Sequence, residues 1–427
     1  MQEASKKVLI ISYYWPPSGG AGVQRWLKLS AYLAELGVEV HVLTVDEKKA
    51  SYMQWDETLI GDIHPKVTVY KTDSFEPINY YAKLVGKKNV PTAGFSNVDN
   101  ANWKQKLVNS VRSNFFIPDP RVGWNKYATK KAKSLIKEHA ISTVVTTSPP
   151  HSTQLIGLKL KRKFPHIKWI VDFRDPWTDI YYYELLGHTA VSKNLDAKYE
   201  RKVIEKSDQI ITVGQKFKDS FQSKTTQDIS AKTAVIPNGY DPKDFTVESD
   251  RNKRFTISYT GTMSDYYQPQ VFFEALADLI QKYPSEPIDF VFIGSVSANI
   301  QDFVVKKIGN QATFLSPVTH KKIVTYMQQS HVLLLVTQGT EGTIPGKTFE
   351  YLAAKRTIIC IGKGDAAQAI SNCNAGASFE RNEKEAITAY LEKCLIDYKA
   401  GNINQPNLAE IEKLSRPYQA KAIFDLL

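Results

Sequence analysis

The chain has 427 residues, which is too long for one ordinary hydrophobic core and predicts two domains of roughly 200 residues each. Its 42% hydrophobic and 23% charged residues are typical of a globular protein, and no apolar run reaches the ~18 to 20 residues that span a bilayer. Three cysteines, Cys360, Cys373 and Cys394, form neither a metal-ligand spacing nor a disulfide framework, so we expect a reducing, cytoplasmic location.

The formal net charge of +11 indicates an anionic partner. Lysines cluster at residues 83–88, 104–112, 126–133 and 159–163, with Tyr80, Tyr81, Trp103, Phe115 and Phe116 among or beside them. Basic residues interleaved with aromatic ones suit the headgroups of an anionic membrane surface, and a solvated lysine face explains the pattern equally well. No nucleic-acid module is present, so we do not expect a nucleic-acid partner.

The first half of the chain alternates predicted strands and helices. Apolar runs predict strands at Val8–Ser12, Val38–Thr44, Val67–Lys71, Ser142–Thr147, Lys168–Phe173 and Gln209–Val213, with helices such as Val23–Leu36 and Tyr127–His139 between them. This alternation predicts a doubly wound parallel sheet. Residues of about 73–120 break the rhythm, and we interpret them as an insertion that contacts the acceptor or a membrane.

Three glycines, Gly19, Gly20 and Gly22, follow the first predicted strand, where small residues let a phosphate or sugar approach the backbone. Arg25 breaks the G-x-G-x-x-G/A dinucleotide pattern, although Asp46 ends the second strand as in NAD-binding proteins. A tight strand-to-helix turn explains the glycines without any ligand. An NAD-dependent or sugar-nucleotide-modifying enzyme therefore stays open as an alternative.

The motif Asp172-Phe-Arg-Asp-Pro-Trp177 ends another strand, and the carboxyl ends of strands are where open α/β sheets bind ligands. Arg174 is suited to a diphosphate or an acceptor phosphate, and Asp175 to orienting that group or a sugar hydroxyl. His151, in Ser148-Pro-Pro-His-Ser152, ends the preceding strand, and a structural role is as well supported as a functional one.

A second series of strands is predicted at Phe255–Thr260, Ile288–Ile293, Ala312–Leu315, His331–Val336 and Arg356–Ile361. Turn-forming residues at Pro237–Asp244 mark a linker before it, and Gly261 is placed to approach a ligand phosphate. His320 follows Thr319 at a predicted helix start, where we expect a neighbour of the cap rather than a catalyst.

The segment from Glu341 to Ala354 is the most informative in the chain, because it lies between two buried strands and begins a helix near Pro345 and Gly346. The first backbone N–H groups of that helix are available to an anion, and Lys347 adds a full positive charge. Glu350 follows one turn after Gly346, where a carboxylate can accept hydrogen bonds from paired hydroxyls. The segment therefore predicts a site for a phosphate attached to a sugar.

The run Pro345-Gly-Lys-Thr-Phe-Glu-Tyr-Leu-Ala-Ala354 resembles the nucleotide-sugar segment of family 4 retaining glycosyltransferases, particularly those of bacterial surface-polysaccharide assembly. Further matches lie at residues 13–25, 147–152, 171–177 and 235–241, in the order and spacing of that family. The resemblance implies an α/β GT-B fold, with two Rossmann-like doubly wound parallel-sheet domains facing across a cleft. We expect an acceptor-side domain at residues 1–240, a nucleotide-sugar domain at 241–412, and a C-terminal helix at 413–427 that crosses back to the first domain.

Two departures from the family pattern bear on the expected site. Glu341 and Glu350 are nine residues apart rather than eight, so Glu341 is not assigned to the transferred sugar. Residues 263–268 lack the Arg and Lys that many members place near the diphosphate. Lys347, Arg174 and the helix start must then stabilise the leaving diphosphate, and a catalytically silent nucleotide-sugar-binding protein stays open as an alternative.

The resemblance implies a metal-independent glycosyltransferase of the hexosyltransferase type, without a cofactor, that transfers a sugar from a nucleoside diphosphate sugar to a lipid-linked glycan precursor in capsule, O-antigen or exopolysaccharide assembly. We expect it to be peripheral on the inner face of the cell membrane. The expected catalytic residues are Arg174, Asp175 and His151. The expected donor-binding residues are Gly19, Gly20, Gly261, Gly346, Lys347 and Glu350. We further expect donor binding to draw the two domains together.

Overall fold

The computed structural model describes residues 6–52, 54–76, 114–180, 183–247, 249–337 and 344–427. The chain divides into two compact units. The first contains the chain up to Pro237 together with Gln419–Leu427, and the second contains Asn238–Tyr418. Most of the expected insertion at residues 73–120, with its lysines and aromatic residues, lies outside the described residues, as does Glu341.

The first unit is built on a parallel sheet whose described strands run in the order β3-β2-β1-β4-β5-β6-β7. The strands are β1 Lys7–Ile11, β2 Glu39–Val45, β3 Val67–Thr72, β4 Thr143–Ser148, β5 Lys168–Phe173, β6 Gln209–Thr212 and β7 Thr233–Val235. Its described α-helices are α1 Ala21–Glu35, α2 Asn125–Glu138, α3 Ser152–Lys163, α4 Ala190–Lys206 and α5 Gln215–Ser223.

Both faces of this first sheet are buried, as β1 shows residue by residue. Val8 and Ile10 pack into a hydrophobic cluster with α1, whereas Leu9 and Ile11 pack into another cluster with α2 and α3. Successive side chains of a strand point to opposite faces, so a strand covered by helices on both sides must be apolar throughout. This is why β1, after Lys7, has the continuous apolar sequence Val-Leu-Ile-Ile.

The second unit is a parallel sheet with the described order β10-β9-β8-β11-β12-β13. The strands are β8 Phe255–Met263, β9 Ile288–Val296, β10 Ala312–Leu315, β11 Val332–Val336, β12 Thr357–Ile361 and β13 Gly376–Phe379. Its helices are α6 Gln270–Lys282, α7 Ala298–Ile308, α8 His320–Gln329, α9 Gly346–Ala353, α10 Asp365–Asn372, α11 Lys384–Lys399 and α12 Leu408–Glu412. The last helix, α13 Arg416–Leu426, places Ala420 and Ile423 in the first unit's hydrophobic cluster.

Both sheets have a point where the strand order reverses direction. In the first unit the reversal lies between β1 and β4, and in the second it lies between β8 and β11. Loops that leave the carboxyl ends of two such strands turn to opposite faces of the sheet and leave a crevice between them. The strand order alone therefore places a ligand crevice between β1 and β4 in the first unit and between β8 and β11 in the second.

The structure confirms the doubly wound parallel architecture of both halves and most of the predicted strands. The prediction missed β7 and β13. The first has only three residues, Thr-Ala-Val, and the second is a partly exposed Gly-Ala-Ser-Phe with weak strand preference. Among the described helices, none is long and apolar enough to cross a membrane.

Candidate active site

The crevice of the second unit opens where β8 separates from β11. The two strands pair only at Ile257 and Ser258 of β8, opposite Val332 and Leu333, while β8 continues its pairing with β9 as far as Met263. Among the described residues, the carboxyl half of β8 therefore has no strand partner on its β11 side. Helix α9 contacts β8 in this gap. The Tyr351 hydroxyl accepts a hydrogen bond from the Thr260 N–H at 2.9 Å. This contact joins the later part of α9 to β8 at the crevice.

Among the described residues, no side chain competes for the backbone N–H groups at the start of α9. The residue before the helix is Pro345, which makes no capping hydrogen bond, and the first turn contains no acidic residue. Gly346 is exposed, and a Cβ atom added there would meet no atom of the described residues within 4 Å. The first N–H groups of a helix lack intrahelical acceptors and carry the positive end of the dipole. This end of α9 is thus arranged to bind an anion.

Lys347 lies in the first turn of α9 and reaches back over the end of β8. Its Nζ donates hydrogen bonds to the Tyr259 hydroxyl at 2.7 Å and to the Thr260 carbonyl oxygen at 3.0 Å, and it lies 4.1 Å from the centre of the Tyr259 ring. Burial lowers the pKa of Lys347 to about 8, and Glu350 opposes that shift. Among the described residues, no carboxylate is hydrogen-bonded to Lys347. A partly desolvated ammonium of this kind interacts strongly with a phosphate.

Two facing glycines bring the ends of β8 and β9 together beneath Lys347. Gly261 has φ of +101°, and a Cβ atom there would lie 3.2 Å from the Lys347 Nζ. Its neighbour in register is Gly294, where a Cβ atom would lie 2.2 Å from the Gly261 carbonyl oxygen. Only glycine tolerates this backbone at Gly294, so the sequence prediction of Gly261 missed its necessary partner.

Glu350 is held by a histidine from the neighbouring helix. Its Oε1 lies 2.9 Å from the Nε2 of His320, the first residue of α8, and the His320 Nδ1 lies 4.0 Å from an Asp244 carboxylate oxygen. Glu350 is about one-third exposed, so a carboxylate oxygen stays accessible to a ligand. The structure confirms that a helix starts at His320 and adds a contact with Glu350 that the sequence did not indicate.

In the first unit, Asp172, the first residue of the motif that ends β5, forms a fully buried ion pair with Arg25. The Arg25 guanidinium contacts the Asp172 Oδ1 at 3.0 Å and donates to the carbonyl oxygens of Ile236 and Pro237. The other Asp172 oxygen accepts from the Trp26 Nε1 at 2.7 Å and from the Thr147 hydroxyl at 2.8 Å. Arg25 breaks the dinucleotide pattern because it has this structural function.

Arg174 leaves the end of β5 and lies against the first turn of α1. A Cβ atom on Gly22 would lie only 2.5 Å from the Arg174 Nη1, so the absence of a side chain at Gly22 makes room for the guanidinium. Helix α1 begins after Gly20, without a side-chain cap and without an acidic residue in its first turn. The guanidinium and the positive end of a helix dipole therefore lie together at this sheet's carboxyl edge.

His151 and Asp175 lie in buried surroundings at the same edge. The His151 ring stacks on Trp177 with 5.1 Å between ring centroids. Burial lowers the pKa of His151 to about 3, and Arg174 and Lys224 add to the shift, so the imidazole is neutral at physiological pH. Burial raises the pKa of Asp175, whereas Arg174 lowers it. Neither residue contributes a positive charge, and each can exchange hydrogen bonds with a hydroxyl.

Gly19 and Gly20 pack against a nearby loop. The Gly19 N–H donates to the Gln54 carbonyl oxygen at 3.0 Å, and a Cβ atom on Gly20 would lie 2.7 Å from the Gln54 side-chain oxygen. The close packing against Gln54 explains why residues without side chains occupy positions 19 and 20.

The Asp46 carboxylate, at the end of β2, accepts a hydrogen bond from the Lys48 N–H, as in a local turn.

One group among the described residues has the composition of a metal site. Glu39, His41 and His139 place one potential ligand atom each within 4.8 Å of one another. The Glu39 Oε2 also pairs with Lys7 at 3.2 Å. The group lies towards the start of β2, away from the carboxyl edge that holds Arg174.

The comparisons with known proteins decide the family. The model of Glycosyltransferase Family 4 matches residues 19–244, which is more than half of the chain. The chain belongs to glycosyltransferase family 4. The model of Glycosyl transferases group 1 matches residues 254–397 of this glycosyltransferase, the part that contains Gly261, Lys347 and Glu350. No curated protein matches its sequence.

Solved structures show that this glycosyltransferase has the GT-B fold. A glycosyltransferase from Rickettsia africae ESF-5 is 15% identical, with a TM-score of 0.63, over 99% of this chain and 98% of that one. Anabaena Alr3699/HepE in complex with UDP and glucose is 12% identical, with a TM-score of 0.57, over 99% of each chain. The lipopolysaccharide outer core galactosyltransferase WaaB is 11% identical, with a TM-score of 0.58, over 99% of this chain and 100% of that one.

Proposed function

We propose that this glycosyltransferase transfers a hexose from a nucleoside diphosphate sugar to a lipid-linked glycan precursor, with retention at the anomeric carbon. The observation that carries the proposal is the placement of Lys347. Its ammonium and the uncapped start of α9 both lie where β8 separates from β11. A crevice with convergent positive groups suits a diphosphate, and in the part of the chain that the structure describes no carboxylate is bonded to the ammonium.

The donor roles follow from this placement. Lys347 and the first N–H groups of α9 bind the diphosphate, while Gly261 and Gly346 allow it to approach the backbone. Glu350 accepts hydrogen bonds from a ribose hydroxyl pair, with His320 fixing the carboxylate at 2.9 Å. The Anabaena structure with UDP and glucose supports a nucleoside diphosphate sugar as the donor class. Gly19 and Gly20 are proposed as further donor contacts.

The acceptor roles fall to the first unit. Arg174 and the start of α1 bind an acceptor phosphate, and Asp175 and His151 orient the acceptor hydroxyl. In the transfer, the bond between the anomeric carbon and the diphosphate oxygen breaks, and the acceptor oxygen bonds to that carbon on the same face. The leaving diphosphate takes the acceptor proton, so no separate carboxylate base is required. Lys347 and the start of α9 supply the positive charge that a metal ion would otherwise provide.

The charge of Lys347 gives the proposed donor binding a defined pH dependence. The terminal phosphate of a nucleoside diphosphate ionises like a phosphate monoester, whose second pKa is about 6. From pH 7 to about 9.5 the charge of the ligand is therefore nearly constant. Lys347, with a pKa of about 8, loses its proton across that range. We expect nucleoside diphosphate affinity to fall by up to roughly 30-fold from pH 7 to about pH 9.5. Calorimetric titration should show a flat profile for Lys347→Gln, and a wild-type affinity independent of pH would contradict the role.

The lipid-linked acceptor places the enzyme at an anionic membrane, on the inner face of the cell membrane. The net charge of +11 supports this proposal, as do exposed lysines along α2 and at the end of α3: Lys126, Lys130, Lys137, Lys159 and Lys163. WaaB, whose name gives lipopolysaccharide as its context, shares the fold. Each basic residue near an anionic bilayer contributes about 1 kcal/mol to binding.

The experiment combines transfer with membrane binding. A thermal-shift screen of nucleoside diphosphates selects the donor base, and sugar nucleotides of that base are then supplied with lipid-linked acceptors in anionic vesicles. We expect labelled sugar in the lipid fraction, together with vesicle binding that weakens as salt rises. A charge-neutralised α2 variant should sediment less than a variant with as many glutamines on α11. Transfer only to water, or sedimentation indifferent to lipid charge, would overturn the lipid-linked assignment.

A further inference from the structure

A second cavity lies at the opposite edge of the second unit's sheet. It has a volume of about 300 Å³ and is lined by residues at the amino ends of three strands: Phe255 of β8, Val332 of β11 and Thr357 of β12. Helix α11 and the segment that follows it form another wall. Lys347 and Glu350 belong to the carboxyl edge, so this cavity is separate from the proposed donor site. Its volume is at the lower end of the range of small-molecule pockets.

Arg251 supplies the cavity with an unbalanced positive charge. Its side chain is partly buried, and among the described residues it makes neither a hydrogen bond nor an ion pair. Burial lowers the pKa of Arg251, and no carboxylate of the described residues opposes that shift. Lys393 also lines the cavity, and its charge is balanced by Asp397 at 3.0 Å. A guanidinium that is partly desolvated and unpaired is stabilised by binding an anion.

His331 also lines the cavity, and its hydrogen bond to the backbone fixes its neutral tautomer. Its Nδ1 accepts a hydrogen bond from the Thr256 N–H at 3.1 Å, so in the neutral ring the proton is on Nε2. Burial lowers the pKa of His331 to about 4, and the positive charges of Arg251 and Arg356 add to the shift. The ring is therefore neutral at physiological pH, in a region of positive potential.

The rest of the lining suits hydroxyl groups. Asn402, Asn404 and Gln405 provide amides that both donate and accept hydrogen bonds, and Tyr390 and Tyr398 provide aromatic rings. Such groups recognise a polyhydroxylated molecule, while Arg251 and the His331 Nε2–H recognise its charge. We propose that this cavity binds a small phosphorylated sugar at a site distinct from the nucleotide-sugar site.

Calorimetric titration with ribose 5-phosphate, ribose and inorganic phosphate tests the proposal. We expect saturable binding of ribose 5-phosphate that is tighter than that of phosphate, and no binding of ribose. Arg251→Gln should weaken binding at least tenfold. Arg254→Gln is the matched control, because Arg254 is exposed outside the cavity and pairs with Asp289 at 2.6 Å. With the nucleoside diphosphate from the thermal-shift screen saturating the donor site, ribose 5-phosphate should still bind, which separates this site from the donor site.

A spectroscopic readout reports on the cavity directly. A bound phosphate stabilises the protonated imidazole, so the His331 Cε1–H resonance should titrate at a higher pH with ribose 5-phosphate than without it. Lys393→Gln provides a second variant and should also weaken binding. The proposal would be overturned by an absence of saturable binding or by equal affinity for phosphate and ribose 5-phosphate. Equal losses in Arg251→Gln and Arg254→Gln, or displacement of ribose 5-phosphate by the nucleoside diphosphate, would also overturn it.

Discussion

Replacing Asp172 with asparagine should destabilise the first unit by about 3 to 5 kcal/mol, because the change leaves the buried Arg25 guanidinium without its carboxylate. Both side chains are fully buried, and Asp172 also accepts hydrogen bonds from Trp26 and Thr147. Arg25 in turn holds the carbonyl oxygens of Ile236 and Pro237, where the first unit ends. The loss therefore loosens the strand ends that position Arg174.

Tryptophan fluorescence during urea unfolding measures this effect selectively, since all seven tryptophans precede Pro237. Asp179→Asn is a matched control. Asp179 pairs with Lys224 at 3.1 Å but is about half exposed, so its loss should cost less than about 1 kcal/mol. Equal unfolding midpoints for Asp172→Asn and Asp179→Asn would show that the buried pair contributes no net stability.

Replacing Lys347 with alanine should weaken nucleoside diphosphate binding by about 1.5 to 3 kcal/mol, or roughly 10- to 150-fold. The ammonium is held over the end of β8 by Tyr259 and Thr260, so it is already positioned for a phosphate. Calorimetry with the diphosphate measures the loss. Lys355→Ala removes the same charge from beyond the other end of α9, where the residue is exposed, and should change affinity little. Equal losses in the two variants would indicate a general charge effect.

The two-sheet architecture was predictable because its signal is local. Each buried parallel strand is a short apolar run, and between two such runs a helical pattern or a turn marks the crossover. Pro345 and Gly346 likewise located the start of α9 from sequence, since proline and glycine act there through their own backbone preferences. Strands β7 and β13 lack this signal, because one is three residues long and the other is partly exposed.

Long-range partners were not predictable in the same way. Arg25 and Asp172 are 147 residues apart, and nothing in the sequence near either residue indicates the other. Gly294 is required only because it is the register partner of Gly261 on the adjacent strand. His320 contacts Glu350 only because α8 and α9 lie side by side. Each of these contacts depends on the register and packing of the sheet, which a single sequence does not specify.

Titration of a nucleoside and its diphosphate into matched variants tests the central claim that the start of α9 binds a nucleoside diphosphate sugar. Uridine and UDP, or the pair selected by the screen, are titrated into the wild type, Lys347→Ala and Glu350→Gln. We predict that Lys347→Ala weakens UDP binding and leaves uridine binding unchanged, whereas Glu350→Gln weakens both by the same factor. Equal loss of both ligands in Lys347→Ala, or unchanged uridine binding in Glu350→Gln, would contradict the assignment of diphosphate and ribose to these residues.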